Sequence, residues 1–131
     1  MFIINHINLP EFIAGDDSKL KEIFNPLKQN LDLSYSLAIA RIKPKSITTI
    51  HKLKHSEVYF ILKGRGVIYI DDEIDEIIEG DTIYIPPHSK QQIKNIGNEE
   101  LVFLCIVDPA WEPQIEEILG NKENNIENKQ L

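Results

Sequence analysis

From Ser34 onward, short apolar runs recur at close spacing, each bounded by residues that favour turns. The runs are Tyr35 to Ile42, Ile47 to His51, Val58 to Leu62, Val67 to Ile70, Ile74 to Ile78, Thr82 to Ile85, Gln91 to Ile96 and Leu101 to Val107. Each has the length of a strand and is rich in β-branched or aromatic residues, so each is predicted to be one. Between them stand Pro44, Gly64 with Gly66, the Asp71-Asp72 pair, Gly80-Asp81, Pro86-Pro87 and Gly97-Asn98. These residues fix φ, tolerate a positive φ, or bond their own backbone through a side chain. Such tight connections leave no room for crossover helices, so the strands pair antiparallel and the fold is all-β.

The flanks follow another period. Asp16, Asp17 or Ser18 can cap a helix, and Leu20, Ile23 and Phe24 follow at helical spacing, which predicts a short helix over 16–24 before Pro26. Beyond Pro113, Ile115, Ile118 and Leu119 predict a second short helix that stops at Gly120, and 121–131 is a polar, fraying terminus. The expected organisation is an N-terminal arm with a short helix (1–33), a barrel (34–108) and a C-terminal helix with polar tail (109–131), together one structural domain.

With 131 residues there is room for one core, and no apolar run approaches the roughly 20 residues needed to cross a bilayer, so no membrane partner is expected. Met1 to Pro10 lacks the basic region and small-residue cleavage site of a signal peptide, from which a cytoplasmic location follows. A net charge of −7 argues against nucleic acid, whose backbone is bound by clustered Lys and Arg. The charge is uneven: Lys43, Lys45, Lys52, Lys54 and Lys63 face a single acid, Glu57, between Arg41 and Arg65, whereas Asp71 to Asp81 is strongly acidic. Either these are solvated strand faces, or the basic stretch rims a pocket that draws in an anionic molecule. Cys105, the only cysteine, lies in an apolar run and reads as a buried, inert thiol. The aromatics Tyr35, Tyr59, Tyr69, Tyr84, Phe60 and Phe103 recur in strand runs and are expected mostly in the core, while Trp111 closes a barrel end or meets a second subunit.

Two segments carry a resemblance. His51-Lys-Leu-Lys-His-Ser-Glu57 followed by Gly64 resembles the first motif of the cupins, except that Leu53 stands at the second histidine. Gly80, Pro86 and Asn95 keep the separations of the second motif, with Gln91 where a histidine belongs and His88 in place of the usual glycine. The resemblance spans about 34 to 108 and extends to small stand-alone cupins. It implies a double-stranded β-helix, or jelly-roll barrel, with short flanking helices.

It also implies a site. Cupin histidines and a glutamate project inward to hold a divalent ion with open positions for substrate, a set suited to Mn, Fe, Ni or Zn. Carried over, His51 and Glu57 are the catalytic and metal-binding positions and Gln91 is a weak third ligand. His55 shares a strand face with Glu57 and either replaces the missing ligand or is a loop histidine. Gln91, Tyr59 and Arg41 are candidate ligand-binding residues, Lys52, Arg41 or Tyr59 can instead serve as the partner a buried Glu57 needs, and His51 with Glu57 can also form a metal-free acid/base pair. With Leu53 and Gln91 in place of histidines, any metal is held weakly or not at all.

Two functions remain open. One is an isomerase, epimerase or dioxygenase with a degenerate metal site acting on a small polar or anionic molecule. The other is a non-catalytic cupin that binds a small ligand without metal. A homodimer is expected by analogy, since exposed sheet edges need covering.

Overall fold

The computed structural model describes residues 1–120. The expected fraying terminus, 121–131, lies outside the described residues. Eleven strands form among them: β1 (Phe12–Ile13), β2 (Lys19–Phe24), β3 (Ser36–Ile42), β4 (His51–Leu53), β5 (Ser56–Lys63), β6 (Arg65–Ile70), β7 (Glu73–Ile78), β8 (Thr82–Ile85), β9 (Gln91–Asn95), β10 (Leu101–Asp108) and β11 (Glu116–Ile118). They build two antiparallel sheets, one ordered β1-β2-β3-β10-β5-β8 and the other β11-β4-β9-β6-β7. The all-β jelly-roll barrel is therefore as expected, and helix among the described residues is confined to short 3-10 turns at His6–Asn8 and Pro113–Ile115.

The predicted helix over 16–24 is instead strand β2, which pairs with β3 through Leu20 opposite Ala40 and Lys21 opposite Ile39. Its cap-like residues make a turn. Asp16 Oδ1 accepts from the Ser18 backbone at 3.1 Å and from Ser18 Oγ at 2.6 Å, Asp17 takes φ 74°, and Ala14 N bonds Ser18 O. A side chain that bonds its own backbone serves a helix cap or a turn equally well. The open edge of β3 decides between them, because β2 satisfies its ladder groups. After Pro113 the helix lasts only one 3-10 turn, and Glu116 to Ile118 then pair with β4.

Alternation sets the interior. On β3, β5 and β10 the inward positions run from Ser36, Glu57 and Val107 at one end to Ile42, Ile61 and Leu101 at the other. Ile42, Ile61, Ile68, Ile85, Ile93 and Leu101 pack the second end into a closed core. At the first end β3 offers only Ser36, Ala38 and Ala40, side chains too small to fill the space between the sheets. A cavity of about 450 Å³ opens there.

The motif glycine and asparagine hold the closed end. Gly64 sits at φ 93° in the β5–β6 turn, where an added Cβ would also lie 2.9 Å from Glu100 O. Asn95, fully buried, donates from Nδ2 to Ile42 O at 2.9 Å and Glu99 O at 2.8 Å, while its Oδ1 accepts from Gly97 N. Of the aromatics expected in the core, Tyr59, Tyr69 and Phe103 are buried, but Tyr35, Phe60 and Tyr84 are exposed. Phe60 and Tyr84 fall on the outward parity of β5 and β8. They join an apolar outer surface in which Ile39, Leu104 and Phe60 form one cross-strand row, and Leu37, Ile106, Val58 and Tyr84 the next.

Candidate functional site

The cavity's polar end is built by strands from both sheets. His51 and Leu53, two apart on β4, face inward from one sheet; Glu57 and Tyr59, two apart on β5, face inward from the other. All four are buried. Gln91 on β9 is the direct cross-strand partner of His51. It is buried behind the cavity wall, and its Oε1 accepts a hydrogen bond from the Tyr59 hydroxyl at 2.8 Å. Three of the residues anticipated from the motifs, His51, Glu57 and Gln91, thus come together around Tyr59.

Arg41 and His55 do not join them. Arg41 has the opposite parity to Ala40 on β3, and outside the barrel its guanidinium meets Glu11 at 2.7 and 2.8 Å and Glu100 at 2.6 Å. It is therefore no partner of Glu57. His55 falls in the turn between β4 and β5, where its Nδ1 lies 2.7 Å from Pro109 O, so a shared strand face with Glu57 never arises. His88 is an exposed turn residue at φ 67°. Trp111 lines the cavity mouth and packs with Leu53, Val107 and Ile115.

Two carboxylates that the motifs do not include complete the site. Asp16, from the β1–β2 turn, places Oδ2 3.8 Å from His51 Nδ1; Glu116, from β11, places Oε2 3.8 Å from His51 Nε2. The imidazole is flanked on both nitrogens. Asp16 is fixed by its Ser18 bonds and by Thr49 N donating to Asp16 O at 2.9 Å. Glu116 is set by pairing opposite Leu53, and its Oε1 rests over the Gly15 backbone, 3.1 Å from where a Cβ would lie.

The electrostatics follow from this crowding. Burial pushes the Glu57 carboxyl from the ordinary 4.5 up to about 8, the Asp16 and Glu116 charges push the same way, and hydrogen bonding to Gln91 and Tyr59 opposes them. Glu57 Oε1 has no hydrogen-bond partner. Burial likewise raises Glu116, against the pull of His51. The Cys105 thiol, buried in the same wall, is held well above its usual range, in keeping with an inert role.

The residues present do not fit the resident ion that the motif implies. Leu53 offers no donor, Gln91 Oε1 is taken by Tyr59, and each nitrogen of His51 faces a carboxylate. Among the described residues no three His, Cys, Asp or Glu side chains are grouped so as to hold a metal. Of the two readings of the basic stretch, the basic pocket mouth does not hold: no Lys or Arg lines the cavity, whereas Asp16, Glu22, Glu57 and Glu116 do. The lysines of 43–63 belong to other surfaces, with Lys45, for example, bonding Ile96 O.

Comparison with known proteins agrees with this fold and leaves the chemistry broad. The chain is 40% identical over 109 residues to an uncharacterized protein of Methanocaldococcus jannaschii, covering 82% of this chain and 86% of that one. It is 34% identical over 73 residues to auxin-binding protein 1 of Arabidopsis thaliana, covering 49% of this chain and 37% of that protein. In structure it resembles oxalate decarboxylase from Bacillus subtilis with a TM-score of 0.76 at 20% identity, covering 98% of this chain and 36% of that one. No helix among the described residues is long and apolar enough to cross a membrane. The sequence model of the cupin domain matches residues 38–107, the stretch that carries both motifs and both sheets' central strands, and the chain belongs to the cupin family.

Proposed function

We propose that this protein is a cupin that binds a small organic molecule in its barrel cavity, without a resident metal at the motif position. The carrying observation is the cavity itself. About 450 Å³ is lined by largely apolar walls that converge on one cluster of buried polar groups, His51, Glu57, Tyr59 and Asp16. Apolar walls around a few placed polar groups are the usual anatomy of a small-molecule site. A thermal-shift screen of the full chain against small metabolites tests the reading, with Ala38→Trp as the filled-cavity control. Compounds that bind the native state raise the midpoint of the parent protein and leave the variant unmoved. A screen with no response, or equal responses in both proteins, overturns the proposal.

A second reading, proton-transfer catalysis such as isomerisation without metal, is favoured by one observation. Glu57 is held at about 8 in the cavity that His51 also lines, close to where a general acid works best. If this reading is right, Glu57→Gln keeps ligand binding and abolishes turnover; undiminished turnover in that variant removes it.

We also propose a homodimer. The two cross-strand rows on the outer face of β3, β10, β5 and β8 support it, since a contiguous apolar surface of that kind marks an interaction site. A cytoplasmic location remains part of the same proposal.

A further inference from the structure

We propose that the cavity selects an organic cation, a primary amine on an apolar or aromatic body, with the ammonium seated between Asp16, Glu57 and Glu116. The inference rests on the pocket reading above and names its ligand class.

The polar end of the cavity holds an excess of acceptors. Asp16 and Glu116 flank a single imidazole, and Glu57 stands behind them. Glu22, the fourth acid of the wall, is separately matched by Lys28 at 2.8 Å near the mouth. One histidine cannot balance both Asp16 and Glu116, and Glu57, largely protonated at neutral pH, adds further oxygens to the same end; buried charge is stable only when paired.

A second observation points to a ligand. Glu57 is 6% exposed, lines the cavity, and leaves Oε1 without a partner. A buried polar atom bonded to nothing in the chain, on a residue that lines the cavity, is where a ligand donor fits. An ammonium brings three N–H donors and no acceptor, which matches carboxylate oxygens and conflicts with none of them. An anionic ligand would meet the same oxygens with like charge.

The rest of the cavity argues for a body behind the charge. Ala38, Ala40, Leu53, Phe103 and Val107 provide apolar wall, and the Tyr59 and Phe103 rings, 4.6 Å apart, offer aromatic surface near the charged end. Aromatic faces attract cations. A bare divalent ion would use neither the volume nor the apolar wall.

The test uses three probes with one body: 2-phenylethylamine, 2-phenylethanol and 3-phenylpropionate, titrated calorimetrically into the full chain at neutral pH. The amine is expected to bind at least about tenfold more tightly than the alcohol, and the carboxylate not to bind. In Asp16→Asn with Glu116→Gln, which keeps size and hydrogen-bonding capacity, the preference for the amine disappears while the alcohol binds as before. The inference is overturned if the carboxylate binds as well as the amine, if the double variant keeps the preference, if manganese or calcium chloride alone reproduces the response, or if no probe binds. Alcohol or carboxylate binding that is lost in Ala38→Trp leaves the pocket reading standing while the cation inference falls. Silence here together with silence in the metabolite screen removes both.

Discussion

Gln91 faces His51 directly across the β4–β9 pair. That one rung joins the two sequence motifs, and it places an amide where a third imidazole would otherwise point inward. The amide is structurally committed: Oε1 accepts from Tyr59, and the side chain also hydrogen-bonds Glu57. Gln91→Leu would remove the acceptor of the Tyr59 hydroxyl and one of the hydrogen-bond partners of the Glu57 carboxyl. Leaving buried polar groups unsatisfied costs about 1–3 kcal/mol each. Urea denaturation is expected to show a loss of about that size, with a lower midpoint and an unchanged slope. A variant as stable as the parent would mean that the hydrogen-bonded chain through Tyr59 contributes nothing.

Glu57 gives the fold a pH dependence of definite sign. Its folded value, about 8, lies above the ordinary 4.5, so the folded protein holds this proton more tightly than the unfolded chain does. Its contribution is fully present below about pH 4.5, declines as pH rises, and is gone once pH passes about 8. Glu116 is raised in the same direction. Glu57→Gln, the neutral isostere, removes this decline. Relative to the parent, the variant is expected to gain stability from acid to alkaline pH, by on the order of a few kcal/mol in all. Chemical denaturation of both proteins from pH 5 to 9 reads the difference. A constant offset across that range would show that Glu57 is not titrating in the folded state as its surroundings dictate.

The scaffold was far more legible in the sequence than the site. Turn residues spaced by strand-length runs are local signals, which is why Thr82 to Ile85 and Leu101 to Val107 fall where expected and Gly64 and Asn95 occupy the corners that need them. Asp16 and Glu116 could not be found that way. Asp16 belongs to a turn whose residues equally suit a helix cap, and only the edge of β3 decides the matter. Glu116 faces inward because β11 pairs with β4, a contact between segments far apart in the chain. Arg41 departs from its expected place for a related reason. Its proximity to the motif says nothing about strand parity, and Glu11 and Glu100 outside the barrel claim it. Parity also explains Phe60 and Tyr84: their composition suits a core, but their register puts them on the outer face.

That outer face predicts association. Leu104 is half-buried between Ile39 and Phe60 on neighbouring strands, and it lies at the middle of the apolar rows. Leu104→Glu would place a charge at the centre of any contact made there, where desolvating it is costly, while the side chain stays clear of the core. Light scattering is expected to give a dimer for the parent and a monomer for the variant, with native circular dichroism in both. A parent protein that is monomeric at high concentration, or a variant that remains dimeric, would count against this face as the interface.

Leu53 and Gln91 stand at the two positions where the family motif has histidine, and both are buried around His51 and Glu57. If the alignment of the motifs with the structure is right, Leu53→His with Gln91→His restores three imidazoles and a carboxylate on a backbone already shaped for them. The neutral imidazole is a far better ligand for a transition metal than an amide oxygen, and the methyl groups of Leu53 supply none. Without metal, the double variant should be less stable than the parent, because Leu53 packs against Val107, Ile115 and Trp111 and its loss opens that cluster. Added cobalt should reverse the loss, since binding to the folded state alone stabilises it. The measurement is cobalt titration by visible absorption alongside the thermal midpoint, in the parent, each single variant and the pair. Affinity is expected to rise by at least about tenfold in the pair over either single change, as each added ligand contributes. If the pair responds no better than the parent, residues 51, 53, 57 and 91 do not converge as β4, β5 and β9 place them, and the proposal that their chemistry has moved from metal to ligand recognition loses its basis.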